Sequence, residues 1–241
     1  MKAVILAAGL GSRLRPITNE VPKCMVPVNG IRIIDKQTDN MLQNDVTEIY
    51  VVDGYKAEIL AGHLKEIYPQ VHIVSNPRFA ETKNMYSLFL TAQYVKGEEF
   101  LLMNSDVYYD ANIIEGMLLG ENQSKIACDR SGYMEESMKI TLDGDRINHI
   151  SKKISPEEHY AVSIDVYRIS SEDSMTLFKE VEDTVIGRKD ENSWTEVALD
   201  YIFKDANFRP YVIDGRWFEI DNHEDLHRAE EIFKGDKLCK I

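Results

Sequence analysis

The sequence predicts an α/β protein with a mostly parallel central sheet and an antiparallel extension in its second half. An apolar run at Ala3, Val4 and Ile5 breaks at a glycine loop, and strand and helix signals then alternate through the first half. The middle of the chain switches to short strands separated by turn residues. Such an order buries a parallel sheet between helices and places ligands beyond the C-terminal ends of its strands.

Residues 2–6 form the first strand, short and apolar. A helix is expected over 34–43 and a strand over 48–52, after which Tyr55, Ile59, Leu60, His63, Leu64 and Ile67 make a stripe at helical spacing. Residues 71–74 return to strand. Met85, Leu88, Phe89 and Ala92 again recur at helical spacing, and 100–103 form a buried strand with Asn104, Ser105 and Asp106 at its tip, near the first loop. The segments 126–128, 138–142, 147–150 and 160–167 read as antiparallel strands, with Asp143-Gly144 as one of their turns. Helices near 170–181 and 194–203 surround the acidic, glycine-containing stretch 182–192, which reads as a mobile loop able to close over substrate. A strand at 211–213, a short segment at 216–220 and a helix carrying Leu226, Ala229, Ile232 and Phe233 complete the chain. No repeat or low-complexity linker divides it, so a single domain over 1–241 is expected.

The most informative run is Leu6-Ala7-Ala8-Gly9-Leu10-Gly11-Ser12-Arg13-Leu14-Arg15, followed by Val21-Pro22-Lys23. Gly9 and Gly11 free backbone N–H groups to close on phosphate oxygens, and Ser12 adds a hydroxyl donor. Arg13, Arg15 and Lys23 supply positive charge suited to a polyphosphate. A dinucleotide-binding turn is the first alternative, but it fails at its third glycine, where Leu14 stands, and Arg13 would crowd the close helix approach. A purely structural turn would not need three bracketing cations.

With those residues in place, the chain resembles the nucleotidyltransferases that act on sugar phosphates and on phosphocholine. Asn84-Met85-Tyr86-Ser87-Leu88, Asn104-Ser105-Asp106, Ser151-Lys152, Trp194 and Phe218-Glu219-Ile220-Asp221 extend the resemblance over nearly the whole chain. Their order is similar to that in bacterial CTP:phosphocholine and phosphonate cytidylyltransferases. The resemblance implies a Rossmann-like three-layer fold, with 1–120 mainly binding nucleotide and the antiparallel part, within 121–241, mainly binding acceptor. Sugar-phosphate members usually have glycine where Ala8 stands, and a Trp-x-Asp-x-Gly-Thr pattern in place of the late motif. Both departures favour the cytidylyltransferase branch.

The resemblance also implies roles. Asp106 and Asp221 match the family's magnesium carboxylates, and Glu219, two residues from Asp221 in a strand-like segment, shares its face and can join them. Either acid also has a bland reading as a cap, and Asp221 or Asn222 can cap the last helix. Lys23 would hold the α-phosphate, and Arg13 the β- and γ-phosphates that depart as pyrophosphate. Leu6, Ala7 and Ala8, the strand end near Gly54, and the segment from Asn84 to Ser87 would surround the pyrimidine, with Asn84 also a candidate N-cap. Lys152 or Lys153 would meet the acceptor's phosphate or phosphonate. Trp194, Glu196, Tyr133, Tyr160 and Trp217 would shape its far end, where aromatic rings and a carboxylate suit an ammonium group. No general base is required, because the attacking oxygen is already ionised at neutral pH.

Composition bounds the partners. The formal charge of −13, from 28 basic and 41 acidic residues, argues against nucleic acid and anionic membrane surfaces. Three cysteines, Cys24, Cys128 and Cys239, are too scattered for a disulfide framework or zinc site. Cys24, although beside Lys23, has no second group to make it a nucleophile. No run approaches membrane-spanning length and nothing marks secretion, so a cytoplasmic location is expected, and a homodimer stays open. The expected partners are CTP and a small phosphorylated or phosphonylated acceptor, with Mg2+ as cofactor. Two alternatives remain: a sugar-1-phosphate or polyol-phosphate nucleotidyltransferase using CTP, UTP, dTTP or GTP, and a noncatalytic nucleotide-sensing subunit. The second is disfavoured because Arg13, Lys23, Asp106 and Asp221 are all present.

Overall fold

The computed structural model describes residues 1–120 and 122–236, so Cys239 lies outside the described residues. Strand β1 (Lys2–Leu6) leads through 3-10 turns at Ser12–Leu14, Ile17–Asn19 and Lys23–Met25 to the small hairpin of β2 (Pro27–Val28) and β3 (Ile31–Arg32). Then come α1 (Ile33–Gln43), β4 (Glu48–Asp53), α2 (Ala57–Ile67), β5 (His72–Ser75), α3 (Asn84–Phe89), α4 (Ala92–Val95), β6 (Phe100–Asn104), β7 (Val107–Tyr109) and α5 (Ala111–Leu118). The remainder holds β8 (Lys125–Asp129), β9 (Lys139–Asp143), β10 (Arg146–Ser151), β11 (Ala161–Ile169), α6 (Ser171–Glu182), α7 (Thr195–Ile202), β12 (Arg209–Val212), β13 (Trp217–Glu219) and α8 (His223–Ile232).

Strands β5, β4, β1 and β6 lie side by side and parallel, as the alternating order predicts. β11 then pairs antiparallel with β6, β8 and β9, and β9 pairs antiparallel with β10 across the Gly144 turn. The extension is therefore antiparallel where expected, except that β12 joins β8 in parallel. Alternation along the strands builds two cores: Val4 and Leu6 of β1 face one, Ala3 and Ile5 the other. A third cluster unites the two ends of the chain, packing Leu14, Val26 and Val28 against Ile220, Leu226, Ala229 and Phe233. No helix among the described residues is long and apolar enough to cross a membrane.

Several sequence expectations are corrected. The helical stripe after β4 is only partly buried: Leu60 and Leu64 are fully covered, whereas Ile59 and Ile67 are exposed. The helix expected through Ala92 breaks in two, with the Thr91 hydroxyl donating to the Leu88 carbonyl at 2.7 Å where the turns part. The stretch 182–192 is not a free loop. A π-helical turn at Asp183–Gly187 extends α6, with Thr184 and Val185 buried and Arg188 clasping Glu180 and Asp183. Three elements escaped the sequence reading: the β2–β3 hairpin, β7 and α5.

Candidate active site

The first loop is held down by its neighbours. The Ala7 amide donates to the Val52 carbonyl at 2.9 Å, and the Tyr55 amide to the Ala8 carbonyl at 3.1 Å. Gly54 makes this approach feasible, since a Cβ there would lie 2.8 Å from Ala8 Cβ and 2.7 Å from Phe79 Cβ. Gly11 turns with φ +59°, and a Cβ on it would meet Lys23 Cβ at 2.8 Å. Its bareness therefore brings the loop down onto Lys23. Gly9 has open space instead.

A cavity of about 270 Å³ opens beside this loop. Of the residues expected around a nucleotide, Leu6, Ala8, Gly9, Lys23, Asn84 and Ser87 line it, together with Asp106, expected on a metal, and Trp194, expected on the acceptor. Ala7 does not, because its methyl points into the core, and Gly54 acts as a spacer behind Ala8. Gly11 and Ser12 lie outside the lining, and Arg13 borders a second cavity on the far side of the acids. The sequence reading missed Asn76, Phe79, Thr82, Lys83 and the Asn104 side chain, which complete the wall. Buried Asn76 organises that wall by donating to Thr82 Oγ1 at 3.2 Å and Ser87 Oγ at 3.1 Å. No local pattern marks it, although Asn76 directly follows a strand, where ligands gather in this class of sheet.

At one end of the cavity the acids converge. β13 pairs with β7 so that Glu219 faces Val107, and the Ile220 amide donates to the Asp106 carbonyl at 2.9 Å. Ile220 points into the third core, which leaves Glu219 and Asp221 together on the opposite side. Oxygens of Asp106, Glu219 and Asp221 all come within 4.8 Å of one another. Asn222 is the N-cap of α8, in a capping box with Asp225, so the Asp221 side chain is not the cap.

Lys23 Nζ lies 2.8 Å from Asp106 and 2.7 Å from Asp221, and Arg13 reaches Asp221 at 2.8 Å. Burial disfavours the Lys23 ammonium, but Asp106 and Asp221 together outweigh that cost and hold its pKa above the usual lysine range. Burial alone would raise Asp221; Lys23 and Arg13 reverse the sign and lower it. Glu219 feels a weaker downward pull from Lys23 and is pushed up to about 8, by burial first and then by Asp106. Asp106 Oδ1 is buried with no hydrogen-bond partner. Three hard oxygen donors, one of them orphaned, fit a divalent cation. Cys24 is fully buried and its thiol pushed up to about 12, chiefly by burial, which fits an inert core residue.

A nucleotidyl transferase family model matches residues 2–233. The chain belongs to the nucleotidyl transferase family. The transferase is 36% identical to the choline-phosphate cytidylyltransferase of Streptococcus pneumoniae, over 98% of this chain and 100% of that one. It is 27% identical to the CTP:phosphoglutamine cytidylyltransferase of Campylobacter jejuni, over 94% of this chain and 98% of that protein. Among solved structures it superposes on the inositol-1-phosphate CTP transferase of T. maritima with a TM-score of 0.80, at 20% identity, covering 98% of each chain. It also spans about half the length of larger bifunctional relatives.

Of the residues expected to meet an acceptor, the transferase brings fewer together. Lys152 and Lys153 sit exposed in the turn after β10. Trp194 precedes α7, 45% exposed, with Lys83 Nζ 4.7 Å from its ring centroid. The Tyr133 hydroxyl donates to the Ile154 carbonyl at 3.2 Å, and Lys139 lies over its ring. Trp217 is diverted to structure, its indole N–H donating to Asp129 at 2.7 Å, and Tyr160 lies under Arg130. Glu196 is the clearest departure from an open acceptor contact. It is 3% exposed, and Oε1 accepts from the Tyr167 hydroxyl at 3.1 Å. The same hydroxyl lies 2.9 Å from Asp165, an acid that the sequence reading passed over.

Proposed function

We propose that the protein is a magnesium-dependent cytidylyltransferase that joins CTP to a small phosphomonoester or phosphonate carrying an amine, and releases pyrophosphate. The observation that carries this reading is the convergence of Lys23 with Asp106, Glu219 and Asp221 at the end of a cavity walled by the glycine loop. Nearly full-length similarity to two cytidylyltransferases supports the choice of nucleotide. The Ser87 hydroxyl adds a chemical reason: it accepts from Asn76 and keeps its own proton for cytosine N3, an acceptor that uracil and thymine lack.

In the reaction an ionised acceptor oxygen attacks the α-phosphorus of CTP, a new P–O bond forms, and the bond to the β-phosphate oxygen breaks. Bringing one anion onto another makes repulsion a large part of the barrier. Lys23 stabilises charge developing at the α-phosphate, and Arg13, on the far side of Asp221, steadies the departing pyrophosphate. Asp106, Asp221 and Glu219 would hold Mg2+, which supplies further positive charge at the reacting oxygens. Because the attacking oxygen is already ionised and pyrophosphate departs as a stable anion, no side chain need move a proton.

The test pairs CTP, UTP, dTTP, GTP and ATP with phosphocholine, an aminoalkylphosphonate, phosphoglutamine, inositol 1-phosphate and glucose 1-phosphate, with pyrophosphate as the readout. Turnover confined to CTP with an amine-bearing acceptor is expected. Turnover with UTP, dTTP or GTP but not CTP overturns the reading, as does tight CTP binding without product from any acceptor.

A further inference from the structure

Beneath the cavity floor lies a set of side chains that the reaction as described does not use. β11 is interrupted by a bulge between Ser163 and Tyr167, and at its centre Asp165 adopts the left-handed conformation, with φ +56°. That conformation strains most residues, and a chain keeps it where something depends on the direction of the side chain. Here the carboxylate turns toward the tip of β6. Asp165 Oδ2 accepts from Asn104 Nδ2 at 3.1 Å, two residues before Asp106. Asp165 Oδ1 is held by the Tyr167 hydroxyl.

These bonds have a fixed sense. Asp165 Oδ2 accepts whether the carboxyl is ionised or carries its proton on Oδ1, which faces the Tyr167 hydroxyl, so Asn104 presents its NH2 to Asp165 and its oxygen to the other side. There Asn84 Nδ2 approaches Asn104 Oδ1 at 3.4 Å. Asn84 cannot turn over either, because its own oxygen accepts the Thr195 amide at the start of α7 at 2.9 Å. Both amides line the nucleotide cavity. Asp165 thus sets one end of a directional chain, and the α7 backbone sets the other.

We propose that Asp165 is a positioning residue: from its left-handed kink in β11 it fixes the orientation of Asn104 against an Asn84 that the α7 backbone already holds, so that both amides meet the nucleotide pre-aligned. The inference rests on the reading of the cavity as a CTP site. Pre-alignment matters because an amide free to flip must be ordered when the nucleotide arrives, at the expense of affinity. Asp165 itself does not touch the nucleotide, and its effect passes through Asn104.

Equilibrium binding of CTP in magnesium by calorimetry tests this on the intact protein, with the parent, Asp165→Asn, Asp165→Gly, Asn104→Ala and the Asn104→Ala/Asp165→Gly double variant. Asparagine and glycine both tolerate the left-handed conformation, so neither replacement adds backbone strain. Asp165→Gly removes the acceptor and is expected to weaken CTP about tenfold. Asp165→Asn keeps an oxygen for Asn104 and is expected to stay within about threefold of the parent. The double variant should bind no more weakly than Asn104→Ala alone, since Asp165 acts only through that amide. In the ligand-free protein, the Asn104 side-chain NH2 resonances should move to solvent-like positions in Asp165→Gly but not in Asp165→Asn. Unchanged CTP affinity in Asp165→Gly, or additive losses in the double variant, overturns the inference. So does an equal loss in Asp165→Asn, which would make charge the operative property. Failure of the parent to bind CTP would instead overturn the cytidylyltransferase reading on which the inference rests.

Discussion

Lys23 is the pivot at the scale of single residues, because one ammonium serves two carboxylates, one brought from the middle of the chain and one from its last part. Lys23→Ala and Asp106→Ala are each expected to lower kcat by on the order of a hundredfold or more, with a smaller change in the CTP KM, as measured by steady-state pyrophosphate release. Asp221→Asn should lose rate and weaken metal dependence; full retention of both would leave Asp221 without a part in metal binding. Asp165 makes a pH prediction of a different kind. Burial, and then the neighbouring Glu196 charge, push its carboxyl from 3.8 in the free residue to about 7. Between those values the folded protein keeps a proton that the unfolded chain releases, so this group's stabilisation is full below the lower value and is lost as pH rises through the upper one. Melting temperature should therefore fall more steeply over that window in the parent than in Asp165→Asn. The glycines and Lys23 were legible because their meaning is local: a bare backbone after a strand, and a cation just beyond. Asp165 was not, since nothing in Ile164-Asp165-Val166 announces a bulge, and its partners Asn104 and Tyr167 become neighbours only through strand pairing.

Among the elements, α8 separates two roles that the sequence left entangled. Asn222 caps the helix while Asp221 turns to Lys23. Asn222→Ala should cost about 1 kcal/mol of stability, seen in denaturant unfolding, while leaving magnesium dependence intact. The strap after α6 shows the opposite lesson. Its acidic, polar composition reads as a loop, yet Arg78 pairs with Glu191 through two bonds of 2.7 and 2.6 Å, and the Lys83 amide donates to the Glu191 carbonyl at 3.0 Å. These contacts tie the strap to the segment bearing Thr82, Lys83 and Asn84, so Arg78→Ala should raise the CTP KM several-fold with little change in kcat. Apolar strands and most amphipathic helices were readable from periodicity, whereas β7 spans three residues and the π-helical turn is held by ion pairs of Arg188 with Asp183 and Glu180 that no apolar period records.

For the molecule as a whole, alternating elements demand a parallel sheet, a rule that acts on the entire chain, whereas the splitting of β11 among three partners and the parallel pairing of β12 with β8 lay beyond it. Ligand linkage is the matching global test. CTP with magnesium at about a hundred times its dissociation constant should add about 2.7 kcal/mol to unfolding free energy, raising the melting temperature, and omission of magnesium should remove most of that gain. The third core cluster has a further consequence for biogenesis. Lys23 and Asp221 are 198 positions apart, and the residues that press them together include Phe233. A nascent polypeptide still short of that point has no assembled centre, however well its leading sheet has formed. Catalytic competence thus reports on completed synthesis, and a chain truncated ahead of α8 should stay silent even where its glycine loop is properly shaped.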